Sequence, residues 1–363
     1  MILKAGSLGR AVMLALLLAT AAFAQQAATS DAAAGAAADA IVRQWAAGEL
    51  KPQADRQDPI DVARKMMLFS EAPRDVRVSY ELRKPMAAAE GRRAFRYPIT
   101  SPSGGDEMLN VTVAQEGGEW VPTAVQRGTA GSAIPAYVTG REGPWIFLAL
   151  TALLAYLTLA PTVWRRWMGE AWRSLLLHRR VYLWTNVLLY GAFLGGMLIG
   201  SFYPRAVQFI QEVVTSSLQQ GGITEALSSG GVPTAAFGIA YWNFTMGAVL
   251  TTFVPGVLLG VLAYLYNFSR LMVLGIAFAP GSLPLVPFLL HVPTIVVELQ
   301  AYIIVTAGSG VLLSRVLRGG MAAFPAAFRA YLKTLTLALV ILVVAAWYEA
   351  WEILWLIPRV TGS

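Results

Sequence analysis

The chain has 363 residues, of which 56% are hydrophobic and 13% charged, with a net charge of +7. The charged fraction is well below the ~25% usual for soluble domains, and a mean hydropathy of +0.56 marks an integral membrane protein whose solvent is the lipid bilayer. The absence of cysteine, with only two histidines, His178 and His291, excludes disulfides, thiolate metal centres, thiol nucleophiles and His-rich metal sites.

Taken in chain order, residues 1–24 read as a secretory signal peptide. Lys4 and Arg10 make a basic start, Val12 to Leu18 a short apolar core, and Ala22-Phe23-Ala24 a cleavage pattern. Cleavage there puts the mature N-terminus outside the cytoplasmic membrane. Residues 25–140 then read as a small exported α+β domain. Its Ala-rich start, 26–40, is expected to be an unstructured tether. Helical spacing follows over Asp39 to Leu50 (Ile41, Val42, Trp45), with a second helix over Pro59 to Leu68. From there the period changes to two. Val76, Val78, Tyr80 and Leu82 alternate with polar residues, and Phe95 to Tyr97, Leu109 to Val113 and Trp120 to Pro122 continue an antiparallel meander. Gly104-Gly105-Asp106 and Glu116-Gly117-Gly118-Glu119 supply its turns. Arg92-Arg93 and Asp106-Glu107 read as edge charges. No catalytic motif occurs in this part of the chain.

Residues 144–358 read as a polytopic transmembrane bundle of about six spans. They cover Trp145 to Trp164, Val181 to Tyr203, Phe237 to Tyr266, Leu271 to Leu290, Thr294 to Leu313 and Thr334 to Ile357. The fourth is interrupted by Ala279-Pro280-Gly281-Ser282. A polar loop is expected over Pro204 to Ala235. The basic stretch 165–180, Arg270, Arg315, Arg318, Arg329 and Lys333 then all fall on the cytoplasmic side, as the positive-inside rule asks. That distribution accounts for the high pI without nucleic acid as a partner. Two glycine pairs spaced by four, Gly196/Gly200 and Gly256/Gly260, permit close helix approach.

Charged side chains within such spans are functional candidates, because a carboxylate in hydrocarbon costs about 2.5–3.5 kcal/mol even on permissive scales. Glu298 and Glu349 are the two deepest. His291, Thr294 and Glu298 recur at spacings of three and four, on one helical face. With Asn243, they and Glu349 are expected to form a buried polar cluster in the outer half of the membrane, with Glu352 reaching the interface. No phosphate loop, zinc motif or nucleophile elbow is present, so neither enzymatic activity nor a cofactor is expected.

Residues 241–351 resemble the stage II sporulation protein M family of integral membrane proteins. The resemblance rests on Tyr241-Trp242-Asn243 opening a span, the Gly-rich run to Asn267, and Pro293-Thr294 followed by Glu298-Leu299-Gln300-Ala301. It continues through Ala307-Gly308-Ser309-Gly310 and Ala345-Ala346-Trp347-Tyr348-Glu349-Ala350. Thr294 stands where the family pattern has histidine, and Phe268 where it has glycine. The resemblance implies a multi-span membrane component of a larger assembly, without established catalysis. The expected function is a non-enzymatic inner-membrane scaffold of a cell-envelope complex, with other envelope proteins or a second copy of the chain as partners. The alternative is a transporter or permease subunit in which Glu298 and Glu349 line a proton, cation or substrate path.

Overall fold

The computed structural model describes residues 31–51, 57–86, 92–101, 106–129, 134–229, 231–258, 260–282 and 284–361. The expected leader over 1–24 lies outside them, as do the first residues of the expected tether. The chain divides into two compact units, Met1–Gly131 and Ser132–Ser363.

The first unit opens with helix α1, 31–46, and this corrects the expectation of an unstructured Ala-rich tether. Alanine has the highest helix propensity, and Ala34, Ala38, Ile41, Val42 and Trp45 fall on one face. That face is buried with Phe95, Tyr97, Leu109 and Val111 of the sheet. Helix α2, Pro59–Leu68, starts with a proline, where the missing N–H is harmless. Asp58 caps it, accepting a hydrogen bond from the Ile60 N–H at 2.9 Å.

The strands are β1, Arg77–Val78; β2, Lys84–Met86; β3, Arg92–Thr100; β4, Asp106–Glu116; and β5, Glu119–Thr129. Strands β3, β4 and β5 form the antiparallel meander, while β1 and β2 both pair with β3. The strand expected over 76–82 is shorter, because Tyr80–Leu82 turn as a 3-10 segment. Gly117 and Gly118, at φ 59° and 91°, make the tight β4–β5 turn, a two-residue hairpin that needs positive φ at both positions. The edge charges are paired: Arg127 donates to both carboxylate oxygens of Glu107 at 2.8 and 3.0 Å. Asp39 is a polar hub, accepting from Tyr97 Oη at 2.7 Å and Arg83 Nη1 at 2.8 Å.

The second unit is helical. A short α3, Ala136–Thr139, precedes α4, Gly143–Leu159, and α5, Val163–Leu177. These last two are bent by 66° at Ala160–Thr162, where Pro161 interrupts the helix. Next come α6, Arg179–Phe202; α7, Pro204–Gly221; α8, Ile223–Ser229; and α9, Gly231–Trp242, which continues as a π-helical stretch, Asn243–Phe253, and α10, Val254–Leu258. Then follow α11, Gly260–Ala277; α12, Leu285–Gly319; and α13, Phe324–Trp351, which runs on through a π turn, Glu352–Leu356, into α14, Ile357–Thr361. Among the described residues, five stretches are long and apolar enough to cross a membrane: Arg179–Phe202, Gly231–Leu258, Gly260–Ala277, Leu285–Gly319 and Met321–Thr361. The bent α4–α5 pair makes a sixth only if it counts as one span.

Three boundaries differ from the sequence reading. The polar loop expected over 204–235 is helical: α7 turns Val207 and Phe209 inward, with the polar Glu212 and Ser216 buried beside them. The expected third span is two helices. Asn267 Nδ2 donates to Thr252 Oγ1 at 3.1 Å, whereas fifteen residues of straight helix would separate them by ~22 Å, so the chain reverses near 258–260. The break at Ala279–Ser282 is the turn between α11 and α12, not an interruption within a span. Arg270 therefore lies inside α11 rather than in a cytoplasmic loop.

The bundle is tightened at the small residues. A Cβ on Gly196 would stand 2.1 Å from the Met272 carbonyl oxygen, and one on Gly275 would stand 2.0 Å from that of Phe193. Only glycine lets α6 and α11 cross this closely. The two ends differ in charge. The end holding α5 and the α12–α13 turn carries Arg165, Arg166, Arg173, Arg179, Arg180, Arg315, Arg318, Arg329 and Lys333, with Glu170 as its acid. Glu170 is ion-paired with Lys333. The end holding α7 mixes both signs, with Arg141, Glu142, Arg205, Glu212 and Arg359.

Candidate functional site

A polar cluster lies within the apolar bundle, built mainly by α12 and α13, which run antiparallel. His291 and Thr294 are one turn apart on α12 and both meet Glu352. His291 Nδ1 is 3.2 Å from Glu352 Oε1, and Thr294 Oγ1 donates to Oε2 at 3.2 Å. Glu352 has no exposed surface. It sits at the first position of the π turn; π turns are rare and frequent at functional sites. The imidazole stacks on Phe278 with ring centroids 5.5 Å apart. Pro293 removes one helical donor on the same turn, and the neighbouring Leu290 carbonyl accepts from Tyr348 Oη at 3.0 Å.

Deeper along α12, Tyr302 Oη donates to Glu298 Oε1 at 2.8 Å. The Arg270 guanidinium of α11 lies 4.1 Å above the Tyr302 ring and is an electrostatic neighbour of Glu298. Glu349 completes the group, with Glu298, His291 and Glu352 as its charged neighbours. Two buried polar atoms in this region are unpaired, Glu349 Oε2 and Arg270 Nη1. Three carboxylates thus share one guanidinium and one imidazole. His291 to Tyr302 spans eleven residues of helix, so the polar file is ~16 Å long.

Of the expected site residues, His291, Thr294, Glu298 and Glu349 come together. Asn243 opens the π-helical stretch, half-buried, one turn before the Gly247 that packs on Tyr302, and makes no hydrogen bond to this group. Glu352, expected at the interface, is instead the group's best-bonded carboxylate. Tyr302 and Arg270 were not among the expected residues. Tyr302 had a signal, because it follows Glu298 by four, and Glu352 follows Glu349 by three, both on-face helical spacings. Among the described residues no group of histidine and carboxylate side chains is arranged to hold a metal ion.

No curated protein and no solved structure matches the chain. Residues 188–351 match the family model for stage II sporulation protein M, a stretch from within α6 to the end of α13 that holds all of the polar cluster except Glu352. Apolar helices of spanning length and that match together mark a multi-pass membrane protein whose residues 188–351 are similar to the stage II sporulation protein M family.

Proposed function

We propose that this protein is a non-enzymatic scaffold of a cell-envelope complex in the inner (cytoplasmic) membrane. In this reading the α+β unit lies outside the cytoplasm and recruits a partner, while the bundle anchors the assembly. The observation that carries the reading is the division of labour between the two units. One has the half-polar sheet of a water-exposed domain. The other binds its intramembrane charges mostly to each other, as the His291–Glu352–Thr294 and Arg270–Tyr302–Glu298 contacts do. The basic end of the bundle supports the orientation, since cytoplasmic ends are enriched in Arg and Lys.

The test is affinity capture of the tagged full-length protein from mild detergent, beside a version lacking residues 25–131. The scaffold reading expects an envelope protein that co-purifies stoichiometrically with the full chain and is lost on deletion. A partner set unchanged by the deletion overturns recruitment by this unit. The unpaired Glu349 Oε2 and Arg270 Nη1 favour a second reading, a transport subunit. That reading expects Glu298→Gln and Glu349→Gln proteins that fold normally but lose function, whereas the scaffold expects them to retain it.

A further inference from the structure

Helices α4, α9 and α13 line a half-open apolar cavity of about 320 Å³. One end is closed by Phe147, which stacks on Phe237 at 5.0 Å and on Trp347 at 5.2 Å. The lipid-facing wall is Leu150 and Leu153, 48% and 52% exposed. The other end is lined by Trp164, at the start of α5. The α4 residues along it, from Phe147 to Leu157, span ~15 Å, a length suited to an extended acyl chain.

The polar groups on this lining separate into spent and unspent. Thr151 accepts from Trp347 Nε1 at 3.1 Å, and Thr245 donates to the Tyr241 carbonyl at 2.6 Å. The Trp164 Nε1–H is buried and has no partner. A buried donor without an acceptor is uncommon in a folded protein. This one stands where the bundle meets its basic end. Arg165 is engaged with the Leu159 carbonyl at 2.8 Å, but Arg166, beside Trp164, is exposed. Helix α5 carries Trp167, Trp172 and Arg173 exposed along its length, the composition of a helix lying in a membrane interface.

We propose that this cavity is a binding site for an anionic phospholipid. One acyl chain fills the apolar space, the Trp164 N–H donates to an ester or phosphate oxygen at the mouth, and Arg166 with the surrounding basic end holds the negative headgroup. Charge complementarity selects the anionic lipid: this end carries nine basic side chains against the already paired Glu170.

The test is native mass spectrometry of the full-length protein, purified in mild detergent and supplemented with phosphatidylglycerol or phosphatidylcholine of the same chains. The expected result is a phosphatidylglycerol adduct that survives activation conditions that strip phosphatidylcholine. Trp164→Phe, which keeps the ring but removes the donor, lowers the retained fraction several-fold. Leu150→Trp, at an exposed position where the larger side chain occupies the cavity, abolishes retention without shifting the unfolding temperature. Equal stripping of the two lipids overturns the assignment to an anionic headgroup. Retention unchanged in both variants overturns the cavity as the site.

Discussion

Glu352 concentrates the energetics of the buried cluster, because its carboxylate meets both the His291 ring and the Thr294 hydroxyl. Removing an acceptor strands buried donors at about 1–3 kcal/mol. Glu352→Ala is therefore expected to destabilise the bundle by about 2 kcal/mol. Glu352→Gln, which keeps an acceptor for Thr294, is expected to cost about half as much. Thermal unfolding in detergent measures both, and equal losses would mean that only the charge matters. In the other unit, burial first and the bond to the Asp39 carboxylate second raise the Tyr97 phenol well above its ordinary value, near 10. A raised folded-state value means stability that is complete below pH ~10 and is lost as pH climbs through and beyond it. Melting curves of the isolated α+β unit should fall in midpoint from pH 9 to pH 11, and Tyr97→Phe should flatten that slope. Only part of this residue-level detail could be read from the sequence. Spacing placed His291, Thr294 and Glu298 on one face, but which residue of α13 they meet depends on a helix register that sequence periodicity does not fix. Hence Glu352, near the chain end, looked interfacial, and Arg270 looked like a loop residue.

The helices were legible where one face is apolar and the other polar, as in α2, or where the whole segment is apolar, as in α6. They were less legible at the joints. Hydrophobicity is continuous from Phe237 to Tyr266, and nothing in the period marks the reversal near 258–260, which is set by packing of Thr252 on Asn267 and of Gly256 on Tyr331. Conversely, Pro280 and Gly281 mark a true turn that the sequence reading absorbed into a span. The α6–α11 crossing belongs to this scale. Both Gly196 and Gly275 face opposing backbone carbonyls at distances no Cβ can occupy. Backbone cannot swing aside as a side chain can, so Gly275→Ala must separate the two helices. Its expected cost is at the upper end of the 1–3 kcal/mol typical of overpacking, read as a lowered unfolding midpoint in detergent. Gly191→Ala, on the same helix α6 with open space around its Cβ position, is the matched control and is expected to be neutral or slightly stabilising, since alanine is the better helix former.

At the scale of the whole molecule the number of crossings turns on α4, which has seventeen residues, at the short limit for a span, before its bend into α5. The count decides the side on which the α+β unit lies. If α4 crosses, the unit shares a side with α7; if the α4–α5 pair lies along the membrane instead, the unit shares a side with the basic α12–α13 turn. The chain has no cysteine, so single introduced thiols can be labelled without background. Glu49→Cys in the unit, Ser217→Cys in α7 and Arg329→Cys at the start of α13 all occupy exposed positions. With a membrane-impermeant maleimide on intact cells, the six-span arrangement expects Glu49→Cys and Ser217→Cys to react and Arg329→Cys to react only after permeabilisation. Protection of Glu49→Cys together with Arg329→Cys would leave five spans and place the α+β unit in the cytoplasm. Recruitment of an envelope partner by that unit would then be excluded, whatever its fold.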